Sequence, residues 1–247
     1  MKNQKKNKKI RMIFSLLITI LIVVSGFFAY MILQGRKTYR EGNNTYEGIK
    51  EIAIKTNDTE DTDRIDFSVL KNINEDVIGW LSLENTVIDY PVVKGQDNDY
   101  YLNHLYTGEY NSLGTLFVDF RNRELFTDQI SVIYGHSMLN GSMFFILERY
   151  KNQSFYEEHK QFVFDTPDHR YILEPYAGKV VDAKIPFLQF NFTGKEEYFE
   201  YISEFISTSS FKADFEPSEN DKTVMMIKCS ADYEDARYVL LCRVREA

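Results

Sequence analysis

The chain has 247 residues, 44% hydrophobic and 27% charged, with a net charge of −8 and a mean hydropathy of −0.36. That balance supports a buried core and excludes both a largely disordered chain and a polytopic membrane protein. Its two cysteines, Cys229 and Cys242, are too few for a disulfide scaffold or a four-cysteine zinc site.

The charge is unevenly divided. Residues 1–11 carry Lys2, Lys5, Lys6, Lys8, Lys9 and Arg11 and no acid, a charge of +6. Removing these six from the 29 basic residues leaves 23 against 37 acids, so the remainder stands at −14. Between the two lies Met12 to Leu33, 22 residues without a charged side chain. As a helix it would extend roughly 33 Å, enough for a hydrocarbon core of about 30 Å. A cleaved signal peptide would share the basic start. This apolar run is longer than a typical signal core, however, and no clear small-x-small cleavage site follows it. The reading is a cytoplasmic basic tail over 1–11, an uncleaved signal anchor over 12–34, and an extracytoplasmic body after Gln34. An acidic body disfavours nucleic acid as a partner, and no glycine-rich phosphate loop is present.

Residues 35–65 read as a juxtamembrane helix, with apolar Ile49, Ile52 and Ala53, and an acidic linker over Asn57 to Arg64. The compact domain is expected over 66–247, opening on a short helix in FSVLKNIN. Strands are then predicted at Trp80–Val87, Thr115–Val118, Ile130–Tyr134, Phe162–Phe164, Tyr171–Glu174, Lys179–Ala183, Lys222–Ile227 and Arg237–Val244. Many short strands without a βαβ rhythm indicate a mainly β fold, a closed or nearly closed barrel. One helix interrupts them. Thr193 and Glu196 have capping-box spacing, and Tyr198, Tyr201, Ile202, Phe205 and Ile206 form one apolar stripe, expected to pack on the barrel.

Cys229 closes the strand MMIKC, and Arg237 starts the next. If these strands pair around the intervening loop, Arg237 lies opposite Cys229, where a guanidinium favours the thiolate and can hold an oxyanion. In that register Cys242 pairs near Val224, roughly 17 Å along the ladder at about 3.3 Å per residue. That disfavours a bond to Cys229, which needs Cα atoms within about 7 Å. Cys242 therefore reads as a core residue and Cys229 as the candidate nucleophile. A thiol nucleophile needs a proton-transfer partner. His136 sits directly after an apolar strand and before a glycine-bearing loop, a place that restrains the imidazole while glycine admits a substrate backbone. His104 is expected to pack or hydrogen-bond locally, and His159 and His169 to face solvent. The acids Asp232, Glu234 and Asp235 read as a solvated loop, so neither a metal site nor a cofactor is expected.

At these residues the chain resembles a sortase of class B. The resemblance is carried by DNDYYLNH at Asp97 to His104, GTLFVDFRN at Gly114 to Asn122, IYGHSM and GSMF between Ile133 and Phe144, and the Cys229…Arg237 pair. It extends over the anchor and the whole extracytoplasmic part. The resemblance implies an eight-stranded barrel with peripheral helices, and a cysteine transpeptidase of Gram-positive bacteria. Such an enzyme cuts a C-terminal sorting signal after threonine and joins the acyl fragment to an amine of a peptidoglycan precursor or a pilin. Carried onto this chain, it implies Cys229 as nucleophile, His136 as proton carrier and Arg237 as oxyanion and substrate ligand. Asn98, Leu102, Tyr134, Ile227 and Ser230 would line the peptide groove. One residue departs from the family pattern: Lys228 stands where threonine usually precedes the cysteine. Alternation puts it on the face opposite Cys229, reaching solvent, unless it bends into the groove. It is the feature that favours the alternatives, a hydrolysis-only or non-catalytic peptide-binding homologue.

Overall fold

The computed structural model describes the backbone of residues 2–55, 64–123, 125–229, 232 and 234–247, and their side chains except those of 2–10, 55, 64 and 229. It divides into two compact units, residues 1–44 and 45–247. The first consists of most of helix α1, Lys2–Ala53. Within Arg11–Ala53 this helix holds a stretch of mean hydropathy 2.6, none of it buried, long and apolar enough to cross a membrane.

The second unit begins at Thr45 and so takes in the end of α1, part of the 35–65 segment that the sequence sets ahead of the domain. Tyr46, Ile49 and Ala53, spaced to share one helix face, are buried, whereas Ile52 is exposed. The Tyr46 hydroxyl donates to the Gly114 carbonyl oxygen at 2.5 Å and lies 2.9 Å from Thr115 Oγ1. Of the acidic stretch Asn57 to Arg64, all but the Arg64 backbone lies outside the described residues. Helix α2, Phe67–Ile73, follows with Asp66 as its N-cap, accepting from the Ser68 amide.

Eight strands close a barrel: β1 Val77–Ser82, β2 Asp89–Val93, β3 Leu116–Val118, β4 Ile130–Tyr134, β5 Phe162–Asp165, β6 Arg170–Asp182, β7 Thr223–Cys229 and β8 Ala236–Glu246. Their order around it is β8-β6-β5-β1-β2-β3-β4-β7, with β7 returning to β8. The β2–β3 and β4–β7 pairs are parallel and the others antiparallel. Closure leaves the barrel itself without a free edge.

Two strand expectations are corrected. The run Trp80–Val87 is not one strand, because β1 ends at Ser82 and the chain turns at Asn85, whose φ of 57° is left-handed. The missed strand β2 contains Pro91, which discourages a strand reading. On β2 the β3 ladder reaches Val92 and Val93, so Pro91 lies outside it. The segments Tyr171–Glu174 and Lys179–Ala183 are one strand, β6, which runs through Pro175 with a register shift opposite Leu241 and Cys242.

Helix α3, Gln153–Glu158, is capped by Asn152, and helix α4 spans Lys195–Ser207. The latter lays Tyr198, Ile202 and Phe205 against Ile130, Val132, Met225 and Leu241, as its stripe predicts. Its cap differs from the expected box. Gly194 is the N-cap, and Glu197 rather than Glu196 reaches back, accepting from the Thr193 amide at 2.6 Å. The helix starts one residue later than the box spacing implies, and this moves the reciprocal role to Glu197.

Candidate active site

Three neighbouring strands carry or lead into the candidate residues. In the antiparallel β7–β8 ladder Arg237 is opposite Cys229 and Cys242 opposite Val224, the register the spacing predicts. In the parallel β4–β7 ladder Tyr134 is opposite Ile227, and the Gly135 amide donates to the Ile227 carbonyl oxygen at 3.1 Å. His136 follows two residues after the end of this ladder at Tyr134, as Cys229 follows two residues after Ile227. The cysteine backbone has Arg237 beside it on β8.

The histidine is held from outside the ladder. Its Nε2 lies 2.6 Å from the Leu102 carbonyl oxygen, in the 3₁₀ turn Tyr100–Leu102. Gly114 makes that approach possible. Its φ is +62°, and a Cβ there would lie 2.7 Å from the Tyr101 oxygen, 2.8 Å from the Leu102 oxygen and 3.0 Å from His136 Cδ2. The two glycines near His136 differ. Gly135 is closed in by Leu116 and Phe144, which would meet a Cβ at 2.5 Å, so protein rather than peptide occupies its space, while Gly141 is open. Arg237 is half-buried, and its Nη1 donates to the Ala236 carbonyl oxygen at 3.0 Å.

Of the expected groove residues, Asn98 and Tyr134 meet on a carboxylate within the GTLFVDFRN stretch, to which the sequence alone assigns no role. Asp119, its side chain fully buried, accepts from Asn98 Nδ2 at 3.0 Å, from the Tyr134 hydroxyl at 2.8 Å and from Arg121 at 2.7 and 2.9 Å. Burial by itself would raise the Asp119 pKa, but the hydrogen bonds from Arg121 and Tyr134 outweigh it and hold the carboxyl below its ordinary range. Burial, then the Asp119 charge, pushes the Tyr134 hydroxyl up. The Arg121 guanidinium also lies 4.3 Å from the ring centre of Phe190, in the segment between β6 and α4. Leu102 contributes through its carbonyl, Ile227 is buried, and Ser230 lies outside the described residues. The signal for Asp119 and Arg121 is the VDFR stretch, where an acid and a base two residues apart look like any solvent-facing pair of charges.

Lys228 does not reach solvent, and it does not enter the groove. Alternation turns it away from the Cys229 face, and its side chain is 1% exposed. There Nζ lies 2.5 Å from Glu148 Oε2, beneath the 3₁₀ helix Phe144–Lys151, and 5.6 Å from the Phe145 ring centre. Cys242 is buried in the barrel, and burial pushes its thiol well above the ordinary value. His104 stacks on Tyr100 at 4.0 Å and bonds to its carbonyl, as expected of a packed histidine. His169 is exposed, whereas His159 is half-buried against Phe155, because the turn after α3 folds it back.

No family model matches the chain. Sortase B of Listeria monocytogenes is 30% identical over 227 residues, covering 89% of this chain and 92% of that protein. The chain belongs to the class B sortases. The crystal structure of Clostridium perfringens sortase B superposes with a TM-score of 0.69 at 34% identity, over 73% of this chain and all of that one. Staphylococcus aureus sortase B, solved as a substrate complex, is 30% identical with a TM-score of 0.69, over 73% and 85% of the two chains. A sortase B has also been solved in complex with triglycine. The eight-stranded barrel is the sortase barrel, and the chain is an enzyme of the sortase cysteine transpeptidase family.

Proposed function

We propose that this sortase is anchored through residues 12–34 with its N-terminus in the cytoplasm, and that its barrel cleaves sorting signals outside the membrane. Cys229 attacks the carbonyl carbon of threonine in the signal, and Arg237 steadies the oxyanion that forms. The carbon–nitrogen bond then breaks, His136 gives a proton to the leaving amine, and a thioester remains on Cys229. An amine of a peptidoglycan precursor or a pilin attacks that thioester and passes a proton to His136, and the thiolate departs. Asn98, Leu102, Tyr134, Ile227 and Ser230 border the peptide.

The observation that supports this most is the double register, in which β8 sets Arg237 opposite Cys229 and β4 sets Tyr134 opposite Ile227; continued for two residues, the second register would bring His136 to the other flank of Cys229. The relatives solved with a substrate and with triglycine support a peptide donor and an amine acceptor. Lys228, which favoured a hydrolysis-only or non-catalytic role, has its side chain buried against Glu148.

The test incubates the full chain in detergent with labelled peptides from the sorting signals of surface proteins encoded beside it, with and without triglycine. Amine-dependent ligation and a mass-detected thioester on Cys229 are expected. Equal hydrolysis in both arms would make it a protease, and absence of any adduct would end the enzymatic reading of these residues.

A further inference from the structure

The buried lysine next to the nucleophile is part of a longer arrangement. Glu148 bonds Lys228 through Oε2 and Lys151 through Oε1, the latter at 2.6 Å. Lys151 Nζ in turn lies 2.6 Å from Asp232 Oδ2. Charges therefore alternate from the residue before Cys229, through the 3₁₀ helix Phe144–Lys151, to a residue three places after it. The inner member is closed to water, at 1% exposure, while Glu148, Lys151 and Asp232 are 28%, 31% and 39% exposed. Tyr238, opposite Lys228 on β8, is itself buried, with Lys151 Nζ 5.9 Å from its ring centre. A buried ammonium is retained only where a partner fixes its position, and removing one partner of such a pair is costly. The side chain of a threonine, the usual residue here, is several bonds too short to reach Glu148.

We propose that Lys228 is a positioning residue for Cys229: its buried pair with Glu148, continued through Lys151 to Asp232, ties the end of β7 to a residue three places past the nucleophile and so clamps Cys229 between them. This rests on the reading of Cys229 as nucleophile. The clamp acts on geometry and not on the thiol's charge, because Lys228 points away from the Cys229 face and its own charge is matched by Glu148. Small displacements of a reacting group are enough to cost large factors in rate.

The experiment compares the full chain in detergent with Lys228→Met and Lys228→Arg, well below each melting temperature. It measures kcat and KM for the labelled sorting peptide, alkylation of Cys229 by iodoacetamide, and hydrogen exchange of amides 229–235. Lys228→Met should lower kcat about tenfold or more, leave KM within about threefold, and speed exchange, with Lys228→Arg recovering most of the loss. Alkylation should stay within about threefold of wild type, since the thiol's charge environment is unchanged. If kcat and exchange match wild type, or if alkylation falls in step with kcat, the clamp is overturned. Should Lys228→Met fail to fold, Lys151→Met and Asp232→Asn break only the partly exposed links. Each should lower kcat about threefold with faster exchange, and wild-type values in both would equally overturn it. A wild-type chain that never turns over peptide would instead refute the transpeptidase reading, while the exchange data would still report on the clamp.

Discussion

The carbonyl oxygen of Leu102 lies 2.6 Å from Nε2 of His136. A carbonyl can only accept, so Nε2 carries the hydrogen and Nδ1 is the nitrogen left to exchange protons with the leaving and entering amines. In ¹⁵N NMR of the resting enzyme, neutral His136 should appear as the Nε2–H tautomer. An Nδ1–H tautomer would mean that the Leu102 contact does not orient the ring. His136→Ala should lower turnover by about 10²–10⁴, the usual worth of a positioned acid–base group.

Gly114 is the residue that lets the Tyr100–Leu102 turn close on that histidine. A Cβ at φ +62° clashes with two carbonyl oxygens and touches the imidazole, so strain and displacement coincide. Gly114→Ala should cost about 1–3 kcal/mol of stability and lower kcat about tenfold, measured by urea unfolding and peptide cleavage. Gly141→Ala, with open space around it, bears its own left-handed φ of +89° and should cost stability without a comparable loss of kcat.

Asp119 ties Asn98, Tyr134 and Arg121 into one wall. Asp119→Asn keeps the shape and removes the charge, so it should raise KM for the sorting peptide and cost about 2–3 kcal/mol at neutral pH. The pH dependence has a definite sign. The folded pKa of Asp119 lies below its unfolded value near 3.8, so the unfolded chain binds the proton more readily. Its contribution is therefore complete above the unfolded pKa and is lost as pH falls through the lowered folded value. Urea midpoints at pH 7 and pH 3 should show the wild-type advantage over Asp119→Asn shrinking at the lower pH. An undiminished gap would show that the carboxylate's charge is not what stabilises the wall.

The two cysteines should separate cleanly. Cys229→Ala should abolish turnover and thioester formation. Cys242 is sealed in the barrel with its thiol pKa raised by burial, so limiting iodoacetamide at neutral pH should label Cys229 and spare Cys242. Cys242→Ala should keep activity within a few-fold while losing about 1 kcal/mol of stability. A dead Cys242→Ala variant that remains folded would overturn the assignment.

Much of this site is visible in linear order because strand pairing is periodic. The spacing of Cys229, Arg237 and Cys242 around one turn sets their register, and alternation then decides which share a face. The apolar run after six basic residues, and the stripe on α4, are legible for the same reason: each is a local pattern with a local physical cause. Pro91 hides β2 and Pro175 splits β6 in the linear pattern, because a proline's lost donor matters only where a neighbouring strand needs it.

Linear order alone therefore suffices for the apolar span, the barrel class, and the pairing of Arg237 with Cys229. The rest exists only in the folded chain. Asp119 becomes the meeting point of Asn98, Tyr134 and Arg121, and Lys228 becomes a buried cation under Glu148, 80 residues away in the chain. A buried charge is defined by the partner that neutralises it, and no local pattern in Met226-Ile227-Lys228-Cys229 names that partner.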